Sequence, residues 1–266
     1  MLFFAEELKE LQEPLKRDGF AQLSLSLPSE QLDEIHRLFE SPPSGRQRKN
    51  KEGIMGGLRH LCHMSNKDDA FTRLITALST HILDALSIQA TVQQVVFGVN
   101  YFFELSEEEA QRLIPADEGG EQLIRFYDHH DVGIINVIFV DKDFTDGGGL
   151  QFRAPGVNTP FTALTPTQNL IQLKQRDQTA GAQATIRLIL IAGSELIAHG
   201  YPAPIHRVVS LRGARDTRRS LIAVVSGTLN NKKRNQEQRA FEHEMEMSQR
   251  RHALGLRASV KEAGGH

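Results

Sequence analysis

The sequence predicts a mainly β chain with flanking helices, an α+β protein whose core is a sandwich or jelly roll. Short apolar and β-branched runs follow one another closely at 122–128, 134–140, 149–153, 185–192, 204–210 and 219–226. Glycine and proline separate them, and no helix-length amphipathic stretch intervenes between most of them, unlike alternating β/α units. Helical spacing is instead concentrated before residue 90 and in a charged segment at 233–253.

In order from the start, Phe4, Leu8, Leu11 and Leu15 are spaced 4, 3 and 4, marking one apolar helix face that Asp18-Gly19 ends. Ala21, Leu23, Leu25 and Leu27 alternate with polar residues, as in a half-buried strand. Ser29 is a plausible N-cap for a second helix that turns Leu32, Ile35 and Phe39 inward. Residues 41–58, rich in Pro, Gly and Ser and carrying Arg46, Arg48, Lys49 and Lys51, read as a solvated loop or as a cationic lid. His60, Cys62 and His63 lack a second ligand cluster and read as structural. Phe71, Leu74, Ile75, Leu78, Ile82 and Leu86 form the clearest amphipathic helix, followed by a strand over Ala90 to Phe103. Glu107-Glu108-Glu109 and Glu118 to Glu121 belong to an acidic surface linker. Phe241, Met245, Ser248 and His252 mark a solvated C-terminal helix.

Composition excludes several classes. A formal net charge of −2 carries no nucleic-acid footprint. The one cysteine excludes an internal disulfide framework and suits a reducing compartment, so a cytoplasmic protein is expected. No apolar run reaches the ~18–20 residues that cross a bilayer, and the N-terminus turns acidic without a signal-peptide core.

The chemistry centres on His129-His130-Asp131-Val132-Gly133. On an extended strand His129 and Asp131 share a face, while His130 points away. An imidazole and a carboxylate on one face are two thirds of a 2-His-1-carboxylate triad, which holds Fe(II) and leaves positions open. A strand-end histidine beside a turn aspartate is the plainer alternative. The best third ligand is His206 in Pro204-Ile205-His206-Arg207-Val208; His199, lacking that context, is assigned a structural or supporting role.

The ordered set His-x-Asp, His206-Arg207-Val208 and, 12 residues after His206, Arg218-Arg219-Ser220 resembles the iron(II)/2-oxoglutarate-dependent oxygenases in their isopenicillin-N-synthase-like branch. Asn100-Tyr101 and Asp18-Gly19-Phe20 extend the likeness over most of the chain. The resemblance implies a distorted double-stranded β-helix, a jelly roll, in a single domain. Its parts would be an N-terminal helical cover over 1–89, the catalytic core over 90–228 and a C-terminal helix and tail over 229–266. It implies His129, Asp131 and His206 as catalytic metal ligands, with Fe(II), 2-oxoglutarate and O2 as the reacting set. Arg218 would receive the distal carboxylate of 2-oxoglutarate as a bidentate fork, with Ser220 adding a hydroxyl. Asn100 and Asn136 are further candidate contacts, and Phe102 stands where relatives carry a tyrosine. The implied reaction oxidises an unactivated C–H bond of a small molecule by hydroxylation, desaturation or cyclisation, releasing succinate and CO2. An oxidase of the same fold that uses no 2-oxoglutarate, or a non-catalytic jelly-roll binding protein, stays open.

One departure stands out: His129 and His206 are 77 apart, longer than the family's usual spacing. The excess falls between Arg153 and Ile186 and is expected to be an enlarged hairpin or loop near the site's mouth.

Overall fold

The structure is a computed structural model that describes residues 5–40, 46–49, 57–62, 70–144, 148–153, 159–173, 183–215 and 217–229. The helix expected over 233–253 lies outside these residues, as do His63 and the side chains of His60 and Cys62. Helices α1 (Ala5–Lys9) and α2 (Gln12–Asp18) precede β1 (Phe20–Pro28) and α3 (Ser29–Glu40). Then come β2 (Arg46–Lys49), β3 (Gly57–Cys62), α4 (Ala70–Ala85), β4 (Ala90–Phe102) and α5 (Glu107–Gln111). The remainder is β5 (Gln122–His129), β6 (Ile135–Lys142), β7 (Gly149–Arg153), β8 (Thr162–Ala163), β9 (Leu170–Leu173), β10 (Gln183–Ala192), a 3-10 helix at Ser194–His199, β11 (Ile205–Leu211) and β12 (Arg218–Leu229).

The strands form an eight-stranded sheet, β2-β3-β4-β12-β6-β10-β1-β9, and a four-stranded sheet, β5-β11-β7-β8. Along the chain β4, β6, β10 and β12 fall in the larger sheet while β5, β7, β8 and β11 fall in the smaller. The chain thus winds back and forth between two sheets, which is the jelly roll, here a distorted double-stranded β-helix.

Strand alternation gives the larger sheet two different faces. Its outer face carries Leu23, Leu25, Ile135, Val137, Leu188, Leu190, Leu221 and Ala223, packed with Leu74, Leu78 and Ile82 of α4 and Ile35 and Phe39 of α3. Its inner face carries Phe20, Phe102, Ile138, Ile189 and Ile191, packed with Phe126, Leu150, Phe152 and Val208 of the smaller sheet. The first helix divides in two, yet Leu8, Leu11 and Leu15 remain on the buried side. Gly19 ends α2 at φ 75, with its N–H donating to the Leu15 carbonyl, a left-handed C-cap.

Two segments differ from expectation. Where 41–58 reads as loop, Arg46–Lys49 and the start of Gly57–Cys62 are antiparallel strands that extend the larger sheet through β4. Their residues show no alternating apolar pattern in Arg-Gln-Arg-Lys, because edge pairing is made by backbone groups rather than by side chains. The excursion after Arg153 also carries strands: Thr162–Ala163 pairs with β7, and Leu170–Leu173 runs parallel to β1. Glu107-Glu108-Glu109 is a short helix closed by a Ser106 and Glu109 capping box. Among the described residues no helix is long and apolar enough to cross a membrane.

Asp18 ties this arrangement together. Its carboxylate accepts from Arg17 and from Asn169 Nδ2 at 2.8 Å, while the Asn169 carbonyl receives the Gln22 N–H at 2.9 Å. Burial alone would raise the Asp18 carboxyl; the hydrogen bonds from Arg17 and Asn169 outweigh it and hold the group below its ordinary value. A depressed folded value means stability present above about pH 4 and lost as pH falls through that value. Asp18→Ala should therefore lower unfolding stability by about 1 kcal/mol at neutral pH. In urea titrations the gap between the two proteins should close under strongly acidic conditions.

Candidate metal centre

β5 ends on His129 and β11 begins with Ile205-His206, and antiparallel pairing sets His206 opposite His129. The two imidazoles stand 4.1 Å apart between ring centres. Asp131 follows in the turn that leads into β6. One ligand atom from each of His129, Asp131 and His206 lies within 4.8 Å of the others. The Nε2 atoms of His129 and His206 are 3.7 and 3.6 Å from the Asp131 carboxylate oxygens. These separations exceed a hydrogen bond and leave room for a cation among the three groups.

The tautomers follow from the neighbours. His129 Nδ1 is 2.9 Å from the Tyr127 carbonyl, and His206 Nδ1 is 3.4 Å from the Pro204 carbonyl. A carbonyl only accepts, so each Nδ1 carries the proton and each Nε2 presents a lone pair toward Asp131. Asp131 Oδ2 is buried and has no hydrogen-bond partner. A buried carboxylate oxygen facing two imidazole lone pairs is electrostatically incomplete, and a divalent cation completes it. The residues present fit Fe(II).

The turn that presents Asp131 is fixed by backbone contacts. Ser194 N–H donates to the Asp131 carbonyl at 3.0 Å, Glu195 N–H to Gly133 at 3.1 Å, and Gly193 N–H to Ile134 at 2.9 Å. Asn136 Nδ2 donates to the Val132 carbonyl at 3.0 Å. Gly133 sits at φ 87, and a Cβ on Gly193 would come within 2.1 Å of the Gly133 carbonyl oxygen. Phe20 stacks on Phe152 at 4.3 Å, and Phe152 lies 5.6 Å from the His206 ring. A side chain from the N-terminal strand thus helps wall the centre.

A second polar group lies on the inner face of the larger sheet. Arg218 is 2% exposed. Its Nη1 donates to Ser220 Oγ at 3.2 Å, its Nε donates to Asp143 Oδ1 at 2.9 Å, and its buried Nη2 has no hydrogen-bond partner. Asn100 pairs in register with Ser220, and its buried Oδ1 also lacks a partner. An open guanidinium N–H in an apolar interior suits a ligand carboxylate. Asn136 stands apart from this group: its amide nitrogen is engaged by the turn, while its Oδ1 is buried without a partner.

Other residues separate by face. Tyr101 turns outward, its hydroxyl donating to the Phe39 carbonyl, and Phe102 turns inward beneath Arg218 at 5.8 Å. Arg207 follows a ligand yet points out of the barrel. It donates to Gln151 Oε1 at 2.7 Å and to the Ala116 carbonyl at 3.0 Å, over the Phe161 ring. His130 and His199 are outside the three-residue group. Three charged residues beside or within the barrel had no assigned place in the site. Asp143 contacts Arg218; Arg187 donates to Gln22 Oε1; and Arg125, driven by burial down to about 10, donates to Ser210 Oγ and the Phe103 carbonyl. A lone arginine within Leu123-Ile124-Arg125-Phe126 or Ile186-Arg187-Leu188 is the signal that marks the last two.

Gly193→Ala should cost about 2–3 kcal/mol by forcing the Gly133 carbonyl away. Fe(II) affinity, followed by equilibrium dialysis, should fall with it because Asp131 rides on the same turn. Gly200→Ala is the control: its φ is 81 but nothing lies within 4 Å, so about 1 kcal/mol is lost without an effect on metal.

No family model matches the sequence, and no curated protein is similar to it at sequence level. Solved structures do resemble it. A full-length Neurospora crassa protein in complex with alpha-KG superimposes with a TM-score of 0.55 at 14% identity, over 88% of this chain and 86% of that one. The Arabidopsis thaliana dioxygenase for auxin oxidation 1, as its 2-oxoglutarate binary complex, gives 0.52 at 14% identity, over 84% and 89%. At that identity the likeness is one of fold, and the fold shared is the double-stranded β-helix.

Proposed function

We propose that this protein is an Fe(II)- and 2-oxoglutarate-dependent dioxygenase acting on a small molecule. One observation carries the reading: two imidazole lone pairs and an unpartnered, buried Asp131 oxygen converge within 4.8 Å inside a fold shared with 2-oxoglutarate complexes. His129, Asp131 and His206 would hold the metal on one side, and the buried Arg218 with Ser220 would hold the distal carboxylate of the co-substrate. The catalytic core would span 90–228 beneath the cover of 1–89.

Bound Fe(II), with 2-oxoglutarate and O2, supplies oxidation of an unactivated C–H bond, giving oxidised substrate, succinate and CO2. The chain's own part is positional. The two backbone carbonyls hold Nδ1–H on both histidines, so each Nε2 stays a lone pair. Phe20, Phe152, Phe126 and Ile138 form an apolar wall on the ligand side of the barrel. The Asp131 carboxylate would be the third protein ligand to the metal, which would disfavour a halide in its place. The isopenicillin-N-synthase-like branch, a place in natural-product chemistry and a cytoplasmic setting accord with the motif order and single cysteine.

Anaerobic addition of Fe(II) and 2-oxoglutarate should produce the visible metal-to-ligand charge-transfer band. Alanine at His129, Asp131 or His206 should abolish most Fe(II) binding with the fold retained by circular dichroism; full retention in His206→Ala overturns the ligand set. Arg218→Ala should weaken 2-oxoglutarate by two to three decades, the cost of leaving one buried charge unpaired. Arg218→Lys should be intermediate, and Ser220→Ala should cost about 1 kcal/mol. Substrate oxidation with no succinate formed would mark the oxidase instead.

A further inference from the structure

We propose that Asp143 is a positioning residue that rotates the Arg218 guanidinium so that its outer edge faces a ligand carboxylate. The inference rests on the reading of Arg218 as the 2-oxoglutarate anchor.

A guanidinium is a flat fork with two usable edges, one formed by Nε and a neighbouring Nη, the other by Nη1 and Nη2. In a mainly apolar interior a single arginine with one partner can turn about its last torsions. Here two contacts fix it. Asp143 Oδ1 takes the Nε proton at 2.9 Å, and Ser220 Oγ takes one Nη1 proton at 3.2 Å. Nη2 is left buried with no hydrogen-bond partner, so the Nη end of the fork stays open to a ligand carboxylate.

Asp143 is itself held. The same Oδ1 accepts the Phe144 N–H at 3.0 Å, so the carboxylate is fixed to the backbone just past the end of β6. Arg187 of β10 senses it from across the sheet: burial lowers that guanidinium, and the Asp143 charge opposes the fall. Asp143 is 51% exposed on its side chain, whereas Arg218 is 2% exposed. The aspartate charge is therefore largely screened by solvent, while the arginine charge is not. Asp143 can orient Arg218 without cancelling its attraction for a ligand anion. This asymmetry decides between a positioning partner and a competitor for the anchor.

The test compares two 2-oxo acids on the Fe(II)-loaded protein, titrated anaerobically by the charge-transfer band. Pyruvate offers the same chelating end as 2-oxoglutarate but has no distal carboxylate, so it does not read Arg218. Wild type should prefer 2-oxoglutarate. Asp143→Ala should reduce that preference about tenfold by weakening 2-oxoglutarate alone, since one charge-assisted contact is lost. Asp143→Asn, which keeps an oxygen acceptor for Nε, should restore most of the preference. A preference unchanged in Asp143→Ala overturns the proposal, as does equal weakening of both acids, which is a general structural effect. Tighter 2-oxoglutarate binding in Asp143→Ala overturns it too, since Asp143 would then compete for the anchor. Asp143→Asn as poor as Asp143→Ala would also overturn it, by showing charge rather than orientation at work. If wild type shows no preference, Arg218 is not the anchor and the proposed function fails first; a wild-type preference that the variants leave intact fails Asp143 alone.

Discussion

The central strands of the larger sheet, β6, β10 and β12, are packed on both faces, and the rest of the structure follows from that constraint. Helices cover one face and the smaller sheet covers the other, so every second residue of β6, β10 and β12 points into a closed apolar space. A polar atom placed there must find a partner or be costly. Among the described residues, Asn136 Oδ1, Asn100 Oδ1 and Arg218 Nη2 on the inner side of this sheet, and Asp131 Oδ2 on the turn before β6, are buried without a hydrogen bond. The same sheet satisfies Gln22, against Arg187 and the Thr165 and Gln168 carbonyls. The open atoms call for a use.

The same alternation explains why parts of the site were legible in the sequence. His206 and Val208 face inward while Arg207 faces outward, so adjacent residues in one short motif have unrelated surroundings: His206 joins His129 and Asp131, and Arg207 braces the sheet over Phe161. Arg218 and Ser220 share a face for the same reason, and the apolar strand that follows them declared them buried. The turn was less legible. Gly133 in His-His-Asp-Val-Gly gave no hint that Gly193, 60 residues later, would press against its carbonyl.

Other features were hidden because they depend on backbone or on long-range pairing. Arg46–Lys49 joins a sheet edge with no apolar periodicity, and Leu170–Leu173 finds a parallel partner in β1, which no local pattern encodes. Asp143 lies in Asp141-Lys142-Asp143, a charged strand end that reads as solvated surface. Only the approach of β12 makes one of those carboxylates a neighbour of a buried arginine. A charge interrupting an apolar strand, as Arg125 and Arg187 do, was the usable signal, since burying a guanidinium needs a compensating reason.

The division of labour between the sheets separates the two polar groups. Both imidazoles come from the smaller sheet, the guanidinium comes from the larger one, and Asp131 sits on the connection between them. Packed sheets stand about 10 Å apart, and side chains from both fill part of that gap. A co-substrate held at both ends must therefore bridge the remaining space, with a chelating group at one end and an anion at the other. Chain length between those two groups is then read by the sheet spacing rather than by any one residue. A rigid barrel enforces that ruler better than a loop does, because neither end can shift without moving a whole strand. Arg218 stands on β12, which is hydrogen-bonded on both sides by β4 and β6, and not on a connecting loop, as the proposed anchor role requires.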